Sequence, residues 1–150
     1  MEVTNEIKQI ANDLLERYKA SIRDNGHTAS GDLERTASYK VEFNGRWLEI
    51  SFNLQSYWKY LENGTRPHFP PMDAIERWIQ VKRIIPRTNS GRVPSTRQLA
   101  YLICREISIN GTKPTKMLQQ TIDSADDLIT LLIDELGRQL QEEINNTEAL

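Results

Sequence analysis

The 150-residue chain predicts an α+β fold: an N-terminal amphipathic helix, a small antiparallel sheet built on a β-hairpin, several further helices and a long C-terminal helix. Three observations carry that expectation. Apolar residues recur at spacings of three and four from Ile7 to Ile22, two segments of period two flank Asn44-Gly45, and Leu128, Leu132, Leu136, Leu140 and Ile144 stand four apart near the end.

The first helix is written by Ile7, Ile10, Ala11, Leu14, Leu15, Tyr18 and Ile22, with Thr4 or Asn5 as cap and Asn25-Gly26 as terminator. After a Gly/Ser-bearing loop, Tyr39, Val41 and Phe43 alternate over 38–44, and Leu48, Ile50, Phe52 and Leu54 alternate over 46–54. Asn44-Gly45 suits a two-residue type I′ turn, in which both positions take positive φ. That turn pairs Phe43 with Arg46, Val41 with Leu48, Tyr39 with Ile50 and Ala37 with Phe52, and puts both apolar sets on one face. The segment 55–63 reads as a short helix stopped by Asn63-Gly64 and Pro67. Met72 to Lys82 reads as a helix burying Ile75, Trp78 and Ile79 behind Pro70-Pro71. The stretch 86–94 has turn residues and no apolar period, so it reads as a loop that a partner orders. Ser95 or Thr96 then caps a helix with Leu99, Leu102, Ile103 and Ile107 toward a core, ending at Asn110-Gly111. A last helical region runs from Thr115 to about Asn146. Its i+4 series drifts around the helix and so faces more than one neighbour.

Length suggests one domain over 1–150, with a C-terminal helical extension at about 123–150. Hydrophobic residues make up 38% and charged residues 27%, enough apolar material for a modest core. The longest apolar run, Leu99 to Cys104, is far short of a membrane span, and Met1 to Ile10 carries two Glu rather than a signal pattern. Membrane and secretory roles are therefore not expected. With only Cys104, His27 and His68, neither an internal disulfide nor a Cys or His metal cluster is expected, and the single thiol suits a reducing compartment.

No catalytic constellation emerges. Ser30-Gly31-Asp32 is not a nucleophile elbow, no phosphate-binding loop of the G-x-x-x-x-G-K-[ST] type exists, and Cys104 adjoins the apolar stripe of a helix, where a buried inert thiol is expected. His68, between Pro67 and Phe69, reads as a loop or interface residue. The adjacent pairs Asp126-Asp127 and Glu142-Glu143 diverge on a helix and read as solvated faces rather than acid-base dyads.

Two features ask for more. The net charge of −2 hides six bases against one acid over 76–97, and seven acids against Arg138 alone over 126–150. The string Asn-Gly-Thr-Arg-Pro at 63–67 also returns as Asn-Gly-Thr-Lys-Pro at 110–114, each time after a helix. A repeated helix stop accounts for Asn, Gly and Pro but not for Thr and the base, which leaves room for two like-shaped basic loops contacting repeated partners.

The order of these elements, with SGDLERTASYKVEF, YWKYLENGTRPHFPP, MDAIERWIQVK, LAYLICREI and GTKPTKMLQQTI, resembles the tail-completion and neck proteins of long-tailed bacteriophages, the minor tail protein Z type in particular. The resemblance covers about Ser30 to Ile122 and is most specific at Tyr57 to Thr65 and Gly111 to Pro114. Here Asp32 and Glu34 flank the Leu33 step where the family often has bases or small residues. Met117-Leu118 stands where an aromatic is commoner.

The resemblance implies a structural virion protein with no enzymatic activity and no cofactor. It would be made in the host bacterial cytoplasm and assembled as a ring at the head-to-tail joint of the virion. Its implied partners are other copies of itself and phage connector, stopper or tail proteins, with passing contact with DNA and no membrane. The residues expected at those interfaces are Arg66, His68, Arg83, Arg87, Arg92, Lys113 and Lys116 on the basic side and Glu135, Glu142 and Glu143 on the acidic side. The alternative is a nucleic-acid-binding protein that uses the basic segment 77–97.

Overall fold

The computed structural model describes residues 2–25, 31–86 and 91–149. Among them the element order is α1 (Asn5–Asp24), α2 (Asp32–Thr36), β1 (Ser38–Phe43), β2 (Leu48–Asn53), α3 (Trp58–Asn63), α4 (Met72–Lys82), α5 (Thr96–Asn110), α6 (Met117–Asp123) and α7 (Asp126–Glu148). This is the expected α+β arrangement with long helices at both ends of the chain. The described residues fall into two compact units. The first contains α1, Leu33–Gln55 and everything described from Met117; the second contains Ser56–Lys116, which interrupts the first between β2 and α6, together with the short stretch that ends at Asp32.

In the first unit, Thr4 caps α1 by accepting the Ile7 N–H through its hydroxyl at 3.3 Å. The predicted stripe turns inward: Ile7, Ala11, Leu15, Tyr18 and Ile22 are all buried. Removing each large aliphatic side chain from water contributes about 1.5–3 kcal/mol. Ile10 packs with Ala125 and Leu128 of the C-terminal segment, and Leu14 and Leu132 pack against that cluster. The start of the chain is tied to α7 as well. The Glu2 N–H donates to Gln139 Oε1 at 2.9 Å, Gln139 Nε2 donates back to the Glu2 carbonyl at 3.0 Å, and Thr4 Oγ1 donates to Glu135 Oε1 at 3.1 Å.

The hairpin keeps the predicted faces but not the predicted register. Val41 pairs with Ile50, Phe43 with Leu48 and Tyr39 with Phe52, two residues away from the type I′ expectation. Because the shift is even, both apolar sets still share one face, which is half-buried on both strands. The cause is Asn44. Its side-chain oxygen accepts the N–H groups of Arg46 and Trp47, both at 3.0 Å, which closes a four-residue loop. Gly45 takes φ +89° while Asn44 does not enter the positive-φ region, as a type I′ turn would require.

Two further expectations are corrected. The helix expected from Thr115 onward breaks at Ser124 and Ala125 into α6 and α7, and the short α2, burying Leu33, lies where a loop was expected. Ala125 leaves the helical region at φ −96°, ψ 28°.

In the second unit, α4 packs on α5. Ser95 and Gln98 form a reciprocal capping box at the start of α5. Leu102 does not face the core as expected but is 53% exposed. The buried stripe is instead led by the small residues Ala100 and Cys104, which face inward as Ile79 of α4 does.

Candidate assembly surfaces

The two repeated strings meet. Helix α3 ends at Gly64 (φ 70°, ψ −175°) and α5 at Gly111 (φ 67°, ψ −162°), a backbone region open almost only to glycine. Each glycine N–H closes its own helix, on the Tyr60 carbonyl at 2.9 Å and the Ile107 carbonyl at 2.8 Å. The next residues then pair: the Thr65 N–H donates to the Thr112 carbonyl at 3.2 Å and the Thr112 N–H to the Thr65 carbonyl at 3.3 Å, an isolated antiparallel bridge. Thr112 Oγ1 donates to Thr65 Oγ1 at 3.0 Å.

The approach is so close that a Cβ on Gly64 would lie 2.3 Å from the Thr112 carbonyl oxygen, and one on Gly111 2.1 Å from that of Thr65. Beyond the bridge each tail crosses to the other helix. The His68 N–H donates to the Ile107 carbonyl at 3.3 Å, while the Thr115 and Lys116 N–H groups donate to Leu61 and Glu62 at 3.0 and 3.2 Å. The repeat is therefore a clasp with approximate twofold symmetry. The threonines that a helix-stop reading could not explain are its bridging pair. The bases that follow them, Arg66 and Lys113, are exposed at the clasp, beside the carbonyl-rich ends of two helices where positive charge is favoured.

The other expected interface residues lie as follows. His68 is exposed, its Nδ1 2.8 Å from the Arg66 carbonyl. Lys116 reaches Asn63 Oδ1 at 3.1 Å across the clasp. Arg83 ends α4 in the left-handed region, with its side chain exposed, and Arg92 is exposed. Arg87 lies outside the described residues, as do 88–90 of the loop expected to be ordered by a partner. Glu135 is engaged within its own unit: its side chain is 10% exposed and its carboxylate meets Arg138, Gln139 and Thr4. The Arg138 guanidinium, with the Gln139 and Thr4 hydrogen bonds, holds its carboxyl down at about 2. Glu142 is exposed and also bonds Arg138, and Glu143 is exposed. On the same unit the Arg17 guanidinium takes Asp127 in a two-pronged ion pair that lowers that carboxyl to about 2.

Within 77–97, Arg97 lies 3.3 and 3.4 Å from Asp73 and Glu76, and Lys82 sits 5.8 Å over the Trp78 ring, so part of the basic segment is already engaged. Cys104 is fully buried, its Sγ–H donating to the Pro70 carbonyl at 3.6 Å, and burial pushes the thiol up. Among the described residues no group of three His, Cys, Asp or Glu is placed to hold a metal ion, and no helix is long and apolar enough to cross a membrane.

Apolar surface is exposed in both units, on α7 where the drifting i+4 series led one to expect it and in the second unit where no sequence pattern signalled it. On α7, Leu128 is buried and Leu132 and Leu136 are half-buried, but Leu140 and Ile144 are 48% and 44% exposed, joined by Ile133 at 62%. Each i+4 step rotates the series about 40° off its inner face, so the drift delivers its last members to solvent. In the second unit, Phe69, Met72, Pro94, Arg97, Tyr101 and Leu102 line an open, largely apolar groove of about 620 Å³. No known family, curated protein or solved structure matches the chain.

Proposed function

We propose that the protein is a non-catalytic structural component that works by self-association and docking, of the kind that completes or joins a bacteriophage tail at the head-to-tail interface as an oligomeric ring. The observation that carries this reading is the exposure of large apolar side chains in both units, Phe69, Tyr101 and Leu102 in one and Ile133, Leu140 and Ile144 along one side of α7 in the other. Contiguous exposed apolar surface marks protein–protein contact. The resemblance of 30–122 to tail-completion and neck proteins supplies the setting: a virion protein made in the host cytoplasm, whose partners are its own copies and connector, stopper or tail proteins.

The test is size-exclusion chromatography with light scattering over a hundredfold range of concentration, with and without duplex DNA. Growth beyond the 17.4 kDa subunit with concentration, indifferent to DNA, is the expected result. A subunit mass at every concentration, with DNA affinity that falls steeply as salt rises, would replace this reading by nucleic-acid binding through 77–97.

A further inference from the structure

Charge divides between the units more sharply than the sequence segments suggested. Ser56–Lys116 holds eleven Lys and Arg against four Asp and Glu; with Asp32, which belongs to the same unit, the basic unit carries +6 in a chain of net −2 and the acidic unit −8. The apolar groove belongs to the basic unit, with Arg97 in its lining and Arg105 exposed one turn beyond Tyr101 on α5. The acidic unit ends in α7, seven acids against Arg138 over Asp126–Glu148, and every described residue from Leu140 onward is exposed.

That helix carries two stripes. Leu128, Leu132, Glu135 and Gln139 are buried or half-buried on the side of α7 that meets α1. About two fifths of a turn away run Ile133, Gly137, Leu140 and Ile144, spaced four, three and four, the 3.5-residue seam with which a helix meets another element along its length. Gly137 is the informative member. It sits inside a 23-residue helix, where glycine disfavours the helix relative to alanine. Apart from the backbone of its own helical turns, nothing among the described residues lies within 4 Å of where its Cβ would be. Intramolecular packing thus gives no reason for it, whereas a partner backbone brought close to the helix would.

We propose that the outer stripe of α7 from one copy docks in the apolar groove of the basic unit of a second copy, with Leu140 and Ile144 against Phe69, Tyr101 and Leu102. This rests on the self-association proposed above and names its surfaces. Charge selects the occupant. Pairing α7 with another α7 would bring acid against acid, and a nucleic acid offers no apolar side chains to the groove, whereas α7 presents apolar residues flanked by acids to a unit of net positive charge, although Arg97 at the groove itself is already paired with Asp73 and Glu76. Each copy then offers one stripe and one groove, so the contact is heterologous and propagates from copy to copy. Association through one stripe and one groove therefore rises with concentration.

Two exposed double variants test it: L140E/I144E disables the stripe and Y101E/L102E disables the groove, with circular dichroism confirming that each folds. Each alone is expected to remain a monomer at least tenfold above the concentration at which the unmodified chain associates. Mixed, they retain one working stripe and one working groove between them, and are expected to give a one-to-one pair of twice the subunit mass and nothing larger. An unmodified chain that associates while the mixture stays monomeric overturns the groove assignment and leaves self-association standing. An unmodified chain that never associates overturns both. A Leu140→Cys and Leu102→Cys mixture that forms an interchain disulfide on mild oxidation supports the docked register, and its absence where the mixed pair forms counts against that register.

Discussion

The two units reach order by different means. The acidic unit is held by side chains: a buried stripe along α1, a cluster shared with α7, and ion pairs such as Arg17 with Asp127. The basic unit buries few large side chains, with Ile79, Ala100 and Cys104 at its centre. Its ends are fastened by backbone, through two glycines in a conformation closed to other residues and a bridge between two threonines. The contrast teaches where each can change. A packed core tolerates a swap of similar volume, whereas a backbone contact at 2.1 Å from a would-be Cβ tolerates no side chain at all.

The largest expected effect follows from that difference. Gly111→Ala should destabilise the basic unit by about 4 kcal/mol, since the new methyl group meets a carbonyl oxygen and the backbone must leave its glycine-only region. Hydrogen exchange followed by mass spectrometry should show protection lost over Ser56–Lys116 and retained in α1. Equal loss in both regions would show that the units do not unfold separately. Next in size is Leu15→Ala, expected to cost about 3 kcal/mol in the acidic unit by opening a cavity against α1's neighbours. Denaturant unfolding read on α1 and α7 amides checks it, and a change under 1 kcal/mol would mean the site collapses around the smaller residue.

The smallest effect is that of acid. Asp127 and Glu135 have carboxyls lowered to about 2 by Arg17 and Arg138, against about 3.9 and 4.3 in an unfolded chain. Folded-state values below the unfolded ones stabilise fully above about pH 5, and that contribution is lost as pH falls toward 2. The acidic unit should therefore lose thermal stability over that window, and Asp127→Asn with Glu135→Gln should flatten the loss. An unchanged slope in the double variant would assign the acid sensitivity to other carboxylates.

How much of this could be read beforehand depends on the range of the forces involved. α1, α4 and α5 were legible because caps and stripes are local: Thr4, Pro71 and Ser95 stand where the helices begin. The hairpin faces were legible and its register was not, because Asn44 can satisfy either a type I′ turn or an Asx turn, and the choice rests on a side-chain hydrogen bond. The clasp was visible as a repeat but not as a contact, since Thr65 and Thr112 are 47 residues apart and nothing local requires them to meet. Leu102 was misplaced because two apolar stripes share α5 and the smaller residues take the inside. The seam through Ile133, Gly137, Leu140 and Ile144 could have been found from its 3.5-residue spacing, but the i+4 leucine series overlaps it and draws attention first.

One consequence of the clasp concerns mechanical load. Thr115 is bound to Leu61 by both its N–H and its hydroxyl, joining points 54 residues apart along the chain. Tension arriving from β2 on one side and α6 on the other would pass across those short bonds and leave the intervening chain slack. The basic unit is thus hidden length. While the clasp holds, a pull along the chain does not stretch the unit, and when it yields, roughly 190 Å of contour is released at once.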